Sequence, residues 1–175
     1  MEVISVGSSS SGNSYIIKAG GTNLLLDVGL PAKTIMAALD ECGIEPCDVH
    51  GVLVTHEHSD HVKSVRAISR MCAEANFYAS RGTVAGCEGF GYVPDDRICI
   101  VDRDSRLTLG DAAIDCFALS HDAREPIGYS VEADGQRLTV VTDTGIVTER
   151  ILSELTRADV IVFEAKHEVN MLMMG

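Results

Sequence analysis

The chain has 175 residues, 46% of them hydrophobic, and a formal net charge of −12. This length and composition allow one well-packed domain over residues 1–175, and they argue against disorder and against a membrane protein. The acidic charge argues against a broad surface for nucleic acid phosphates, because such a surface needs clustered Lys and Arg.

The serine-rich segment 7–14, which reads Gly-Ser-Ser-Ser-Ser-Gly-Asn-Ser, is predicted to be a loop between two apolar runs. Runs of branched residues bounded by Gly or Asp predict a strand-rich chain. The predicted strands are, in order, 3–6, 15–17, 24–26, 52–54, 77–79, 98–101, 114–119, 127–131, 138–142 and 160–163.

Three segments between these strands have helical patterns: 31–42, with Pro at its start and Gly43 past its end, 62–72 and 147–155. The alternation predicts sheets layered with helices. We expect short turns such as Gly20-Gly21 between the early strands, and helices between the later ones.

The compartment can be predicted from two negative features. The first residues lack the basic flank and long apolar region of a signal peptide, and no apolar stretch approaches membrane-spanning length. The six cysteines include no CxxC pair, and a chain of this size needs no disulfides to fold. We expect a soluble cytoplasmic protein whose cysteines are reduced core residues.

The densest group of potential metal ligands follows predicted strand 52–54 and reads Thr-His-Glu-His-Ser-Asp-His over residues 55–61. In an extended segment, residues two apart point to the same side, so His56 and His58 can bind one ion. Asp60 and His61, at the turn into the next helix, can reach a second. A solvated polar loop is the alternative, but it leaves this concentration of imidazoles without a reason.

Three more candidates stand at the ends of predicted strands: Asp27, His121 and Asp143. Strand ends are where layered α/β folds bring side chains into a shared cleft. Taken singly, each would be an ordinary loop or turn residue. Beside the histidine cluster, each becomes a candidate for the same site.

The HxHxDH pattern formed by His56, His58, Asp60 and His61 resembles the signature of the metallo-β-lactamase superfamily. The resemblance implies an α+β fold, an αββα sandwich, that binds two divalent metal ions, Zn²⁺ or Mn²⁺. It also implies a division of the ligands. The first metal would take His56, His58 and His121, the second would take Asp60 and His61, and Asp143 would bridge both, with Asp27 supporting the site by hydrogen bonding from outside the ligand set.

Between the alternating ligands, Glu57 is expected to point away from the metals, and we assign it no catalytic role.

Loop 7–14, together with residues 164–172, is similar to the YycJ/WalJ-like subgroup of metal-dependent exonucleases or phosphodiesterases. Glu164 and His167 stand where that subgroup has a Glu-x-Asn-His element, although Lys166 replaces the Asn. As a hypothesis, His167 steadies a phosphate or protonates a leaving group; the alternative is an ordinary surface histidine.

The family's last metal ligand, a histidine near the carboxy terminus, has no counterpart after His167. The resemblance therefore predicts a fold that is incomplete at its C-terminal end. With only Asp60, His61 and Asp143 to hold it, the second metal is expected to bind weakly or to be absent.

The implied function is that of a metal-dependent hydrolase, a phosphodiesterase or nuclease that acts through a metal-bound hydroxide. Asp60, Asp143 and His167 are the predicted catalytic residues, with Asp60 or Asp143 orienting the nucleophile, and loop 7–14 offers hydroxyls and amides to phosphate oxygens. The predicted partner is a phosphodiester substrate, with single-stranded DNA as a candidate, and no membrane. The sequence makes no prediction of oligomeric state.

Several alternatives share part of this evidence. A glyoxalase-type thioester hydrolase uses the same ligands, and a metal-binding scaffold without turnover would keep them. A flavodiiron-type redox protein is disfavoured. That class carries Glu where this chain has His58, and carboxylates favour iron whereas imidazoles favour zinc. An aspartic protease is suggested by Asp143-Thr144-Gly145, but it needs a second such triplet, and Asp27-Val28-Gly29 is a poor copy.

Overall fold

The computed structural model describes residues 1–164, which form two β-sheets. The first sheet contains, in spatial order, β1 (Glu2–Gly7), β2 (Ser14–Ala19), β3 (Thr22–Leu26), β4 (Val49–Leu53), β5 (Asn76–Ala79) and β6 (Ile98–Ile100). The second contains β7 (Arg106–Leu109), β8 (Ala112–Ala118), β9 (Ile127–Ala133), β10 (Gln136–Val141) and β11 (Val160–Phe163), which also neighbour one another in sequence order.

The helices of this part of the chain are short. They are α1 (Ala32–Glu41), α2 (Ser59–Val62), α3 (Val65–Met71), α4 (Arg81–Gly86) and α5 (Glu149–Thr156), with 3₁₀ turns at Pro46–Asp48, Glu88–Tyr92 and Asp95–Arg97. In residues 1–164 no helix has the length and apolar character needed to cross a lipid bilayer.

Successive residues of the central strands face different layers of the fold. Along β2, Ile16 packs with the side chains of α1 to α3, whereas Ile17 packs with the second sheet. The outer face of the second sheet, including Phe117 and Val141, packs against Ile151 of α5. Each such side chain, when fully buried, contributes about 1.5–3 kcal/mol relative to exposure. The layers are therefore helix, sheet, sheet, helix, which confirms the predicted αββα sandwich.

The strand directions bring the predicted site segments to one edge of the sandwich. β3 and β4 are parallel, and β8 and β10 share a direction because both are antiparallel to β9. The ends of the two sheets are joined by hydrogen bonds from Ile127 N–H to the carbonyl of Thr55, at 2.9 Å, and from the Tyr129 hydroxyl to the carbonyl of Val54, at 2.8 Å. The segments that follow β3, β4, β8 and β10 meet at this edge.

Two expectations about the elements were wrong. The helix predicted over 62–72 begins only at Val65, as α3, because the N–H of Ser64 donates to the carbonyl of Val28 at 2.9 Å and separates α3 from α2, which ends at Val62. The strands from β7 to β10 are connected without helices, and the turn between β9 and β10 is Asp134-Gly135, in which both residues have positive φ. The predicted Gly20-Gly21 turn between β2 and β3 is confirmed.

All six cysteines are free thiols, as expected, but only three of them are buried: Cys72, Cys87 and Cys116. Cys42 and Cys99 are partly buried, and Cys47 is exposed. The prediction that all the cysteines are core residues was therefore wrong for half of them.

Gly29 lets three site segments pack backbone to backbone. Its N–H donates to the carbonyl of Asn13 at 2.9 Å, and the N–H of Asn13 donates to the carbonyl of Asp60 at 2.7 Å. A Cβ on Gly29 would overlap that same carbonyl of Asp60. Only glycine allows this approach, because the obstacle is backbone and cannot move aside as a side chain could.

We expect Gly29→Ala to lower the free energy of unfolding by about 1–3 kcal/mol, the usual cost of overpacking a close contact. The matched control is Gly91→Ala, since a Cβ on Gly91 meets nothing within 4 Å. Its free energy of unfolding should change by no more than about 0.5 kcal/mol. Urea unfolding measures both, and equal losses in the two variants would contradict the packing argument.

Candidate metal centre

Three imidazoles from two different loops converge at the edge of the sandwich. The Nδ1 atom of His58 lies 3.1 Å from Nε2 of His56 and 3.0 Å from Nε2 of His121. Between them these residues offer three nitrogen donor atoms that lie within 4.8 Å of one another. A neutral imidazole presents one lone pair, and a set of three is a common donor set for zinc. The arrangement fits a divalent cation.

A second group adjoins the first through a carboxylate. The Oδ2 atom of Asp143 lies 3.0 Å from Nε2 of His61, 3.4 Å from Nε2 of His56 and 3.8 Å from Nε2 of His121. Asp143 is fully buried, and these three distances place its carboxylate between His61 and the first group of imidazoles. Asp60 is at the margin, with Oδ2 3.6 Å from Nε2 of His61. The structure thus brings all six predicted ligands together.

Asp27 and Thr55 hold two of these imidazoles from behind. Oδ2 of Asp27 is 2.8 Å from Nδ1 of His61, and the Thr55 hydroxyl donates to the same carboxylate at 2.9 Å. The Thr55 oxygen is also 3.0 Å from Nδ1 of His56. This network assigns the Nδ1 protons of both rings to these contacts and turns each Nε2 toward the centre, as in metal sites with outer hydrogen-bond partners.

The surroundings of His61 favour its protonated form in the metal-free protein. Burial by itself would lower the pKa of His61, but the charges and hydrogen bonds of Asp27 and Asp143 outweigh burial and raise the pKa from 6.5 to about 10. A cation bound at Nε2 would have to replace a proton there.

Both buried carboxylates stand on a left-handed backbone. Asp27 has a φ of 52° and Asp143 a φ of 53°. Asp tolerates this region better than most residues, and such conformations often occur at functional sites. Asp27 directly follows β3, and Asp143 follows the end of β10 after one intervening residue. The chain therefore turns at the residue whose carboxylate lies in the centre.

Two residues of the centre were missed by the sequence analysis as individual side chains. Thr55 is one, and its only signal is its place before His56. Asn13 is the other: it is fully buried, its Nδ2 lies 3.1 Å from Nε2 of His61, and its Oδ1 accepts the N–H of Ser9 at 3.0 Å. Loop 7–14 was predicted to offer groups to phosphate oxygens, but the side-chain amide of Asn13 was not singled out.

Two further predicted positions lie toward the end of the chain. Glu164 directly follows β11, and its N–H donates to the carbonyl of Val141 at 2.8 Å. The predicted role of His167 lies outside the described residues and stays a hypothesis.

The fold and the centre together define a metal-binding protein built on an αββα sandwich. The family model described as "Beta-lactamase superfamily domain" matches residues 22–174. The chain belongs to the metallo-β-lactamase superfamily. Family and donor set imply divalent metal ions.

Two curated relatives match almost the whole chain. It is 36% identical over 169 residues to the exodeoxyribonuclease YycJ of Bacillus anthracis, covering 96% of this chain and 64% of that protein. It is 35% identical over 171 residues to the exodeoxyribonuclease WalJ of Streptococcus pneumoniae, covering 96% and 63%. The chain therefore spans less than two thirds of the length of these relatives.

Among solved structures, the Zn²⁺-bound PqqB of Methylobacterium extorquens superposes with a TM-score of 0.77 at 17% identity, covering 94% of this chain and 72% of that one. A likeness at this identity supports the fold, and it bears out the αββα architecture.

We expect Asp27→Asn to weaken divalent metal binding by about 10- to 100-fold, because an outer partner that orients a ligand typically contributes this much. Asp134→Asn is the matched control, since Asp134 has the same left-handed backbone, with a φ of 53°, but lies in the turn between β9 and β10. Competition with a chromophoric chelator measures both affinities. Equal affinities in the two variants would contradict the role given to Asp27.

The pKa of His61 also predicts a pH dependence for the metal-free protein. Despite burial, the folded-state pKa of His61 is raised from 6.5 to about 10 by Asp27 and Asp143. The stabilisation of the folded state by protonated His61 is therefore fully present below pH 6.5 and is lost as the pH rises through about 10. Urea unfolding of chelator-treated protein across this window should show a falling free energy of unfolding. The fall should be smaller in Asp27→Asn, and identical pH profiles for the two proteins would argue against the ion pair.

Proposed function

We propose that this chain is a metal-dependent phosphodiesterase that acts on DNA as an exonuclease. The observation that carries the proposal is the centre itself, in which His56, His58 and His121 face His61 and Asp143 across a few ångströms. Such a donor set suits hydrolysis assisted by metal ions. The similarity to two exodeoxyribonucleases over nearly the whole chain favours a nucleic acid substrate.

We infer two cation positions. His56, His58 and His121 would hold the first cation, and Asp60, His61 and Asp143 the second. Imidazole-rich positions favour zinc, and the carboxylate-rich second position also suits manganese. When bound, such ions activate water and neutralise the charge of a phosphodiester under attack.

The protein's own groups would orient the reactants. The Asp143 carboxylate, which lies between both groups of imidazoles, and Asp60 at the margin are placed to orient a water molecule or to accept its proton. Nδ2 of Asn13 faces the same centre and can donate to a phosphate oxygen. This amide is fixed in advance, because Oδ1 of Asn13 already accepts the N–H of Ser9.

The net charge of −12 bears on how DNA would bind. Without a broad basic surface, attraction to phosphates has to come from the metal centre and from loop 7–14 around it. Single-stranded DNA suits this local mode, because a single strand can bring one phosphate into a narrow centre. We further infer that residues 1–175 act as one domain, and the six free cysteines support a reducing compartment such as the cytoplasm.

The test combines metal analysis of the purified chain with three hydrolysis assays, each with and without chelator. The substrates are bis(p-nitrophenyl) phosphate, single-stranded DNA and a glutathione thioester. We expect bound divalent metal and chelator-sensitive cleavage of both phosphodiesters. His58→Ala should lower these rates by at least about 100-fold, because loss of a ligand exceeds the loss of an outer partner.

The matched control is His50→Ala, an exposed histidine on β4 that lies outside the centre. Its rate should stay within about twofold of the wild-type rate, as for most surface substitutions. Cleavage of the thioester alone would overturn the phosphodiesterase proposal in favour of glyoxalase-type chemistry. Stoichiometric metal without any turnover would indicate a binding scaffold.

A further inference from the structure

The loop that carries His121 is held by hydrogen bonds on both of its sides. This loop, residues 119–126, joins β8 to β9 and closes on itself through a hydrogen bond from the N–H of Leu119 to the carbonyl of Pro126, at 3.1 Å. On its near side, the carbonyl of Ser120 accepts the N–H of Gly145 at 2.7 Å. It contains no helix or strand, yet it must place one imidazole within 3.0 Å of His58.

The far side of the loop is fastened by two carboxylates. Oε1 of Glu57 accepts the N–H of Arg124 at 2.7 Å, and Oε2 of Glu125 accepts the N–H of Gly82 in α4 at 2.9 Å. The first bond matters more for the centre, because Glu57 lies between His56 and His58. It connects the loop of one sheet directly to the segment of the other that supplies two imidazoles.

The position of the Glu57 side chain is itself fixed. A Cβ on Gly86 would lie only 2.7 Å from Cγ of Glu57, so the side chain packs closely over this glycine at the end of α4. The second oxygen, Oε2, is buried and has no hydrogen-bond partner within residues 1–164. Glu57 is also absent from the groups of described residues whose donor atoms could share a metal. Its carboxylate serves the Arg124 amide.

We propose that Glu57 is a positioning residue, which clamps the His121 loop to the His56–His58 segment and so prepares the three imidazoles for a cation. In an extended segment, neighbouring residues point to opposite sides. The same stretch of backbone can therefore present two ligands on one side and the clamp on the other. A loop ordered beforehand does not have to be ordered when the cation binds, and this raises affinity.

The inference rests on the metal centre of the proposed function, but not on its substrate. Its test compares two variants. Glu57→Gln keeps an oxygen acceptor and the length of the side chain, whereas Glu57→Met keeps the length and the packing over Gly86 but removes the acceptor. His121→Ala serves as the reference for losing the third imidazole altogether.

The affinity of each protein for Co²⁺ is measured by its visible absorption in competition with a chelator. We expect Glu57→Met to bind about 10- to 100-fold more weakly than wild type, as for other groups that orient ligands, and Glu57→Gln to bind within about threefold of it. Hydrogen exchange of the Arg124 amide in the metal-free protein should be faster in Glu57→Met and close to wild type in Glu57→Gln.

Each other outcome has a distinct meaning. Wild-type affinity in Glu57→Met would overturn the clamp and leave the metal centre standing. Equal weakening in Glu57→Gln and Glu57→Met would also overturn it, because the charge and not the acceptor would then be responsible. A loss of metal-free stability in Glu57→Met, measured by urea unfolding, that matches the loss of affinity would indicate a general structural role. Failure of the wild-type chain to bind Co²⁺ would overturn the centre itself.

Discussion

The carboxylate of Asp27 is the constraint on which the geometry of the centre depends. It is fully buried, and it accepts hydrogen bonds from the Thr55 amide, the Thr55 hydroxyl and Nδ1 of His61. Through Thr55 its influence extends to His56 in the neighbouring group of imidazoles. A buried carboxylate would be costly without such donors. One side chain at the end of β3 thus fixes the orientation of rings that belong to both candidate cation positions.

Much of the centre could be predicted from the sequence because its information is local. The HxHxDH segment lies in six consecutive residues. Alternation along an extended backbone is enough to assign His56 and His58 to one ion, and the turn that follows assigns Asp60 and His61 to a second. The layered fold followed from the strand and helix patterns. Asp27, His121 and Asp143 could then be placed, since each follows a predicted strand and strands of like direction end at the same edge. The structure brings these side chains together, although their roles as ligands stay predictions.

The remaining features depend on contacts that no local pattern encodes. Asn13 meets His61 across 48 positions of sequence, and Glu57 meets Arg124 across 67. The separation of α2 from α3 has the same origin, because the N–H of Ser64 donates to the carbonyl of Val28 on another segment. Strand β7 escaped prediction because it has only four residues, starts with a charged one and buries none of them fully. Glu57 was judged correctly to face away from the ligands, but only the structure identifies the amide that it meets.

The left-handed backbone at Asp27 and Asp143 narrows the choice of amino acid at both positions beyond the need for a negative charge. Glutamate carries the same charge, but it lacks the short side chain that eases this conformation, and its carboxylate would extend further into a packed interior. Glycine suits the backbone and offers no oxygen, while asparagine suits the backbone and offers no charge. Aspartate alone meets both requirements. Amino-acid substitution at these two positions is therefore limited by the backbone conformation as well as by the need for a carboxylate.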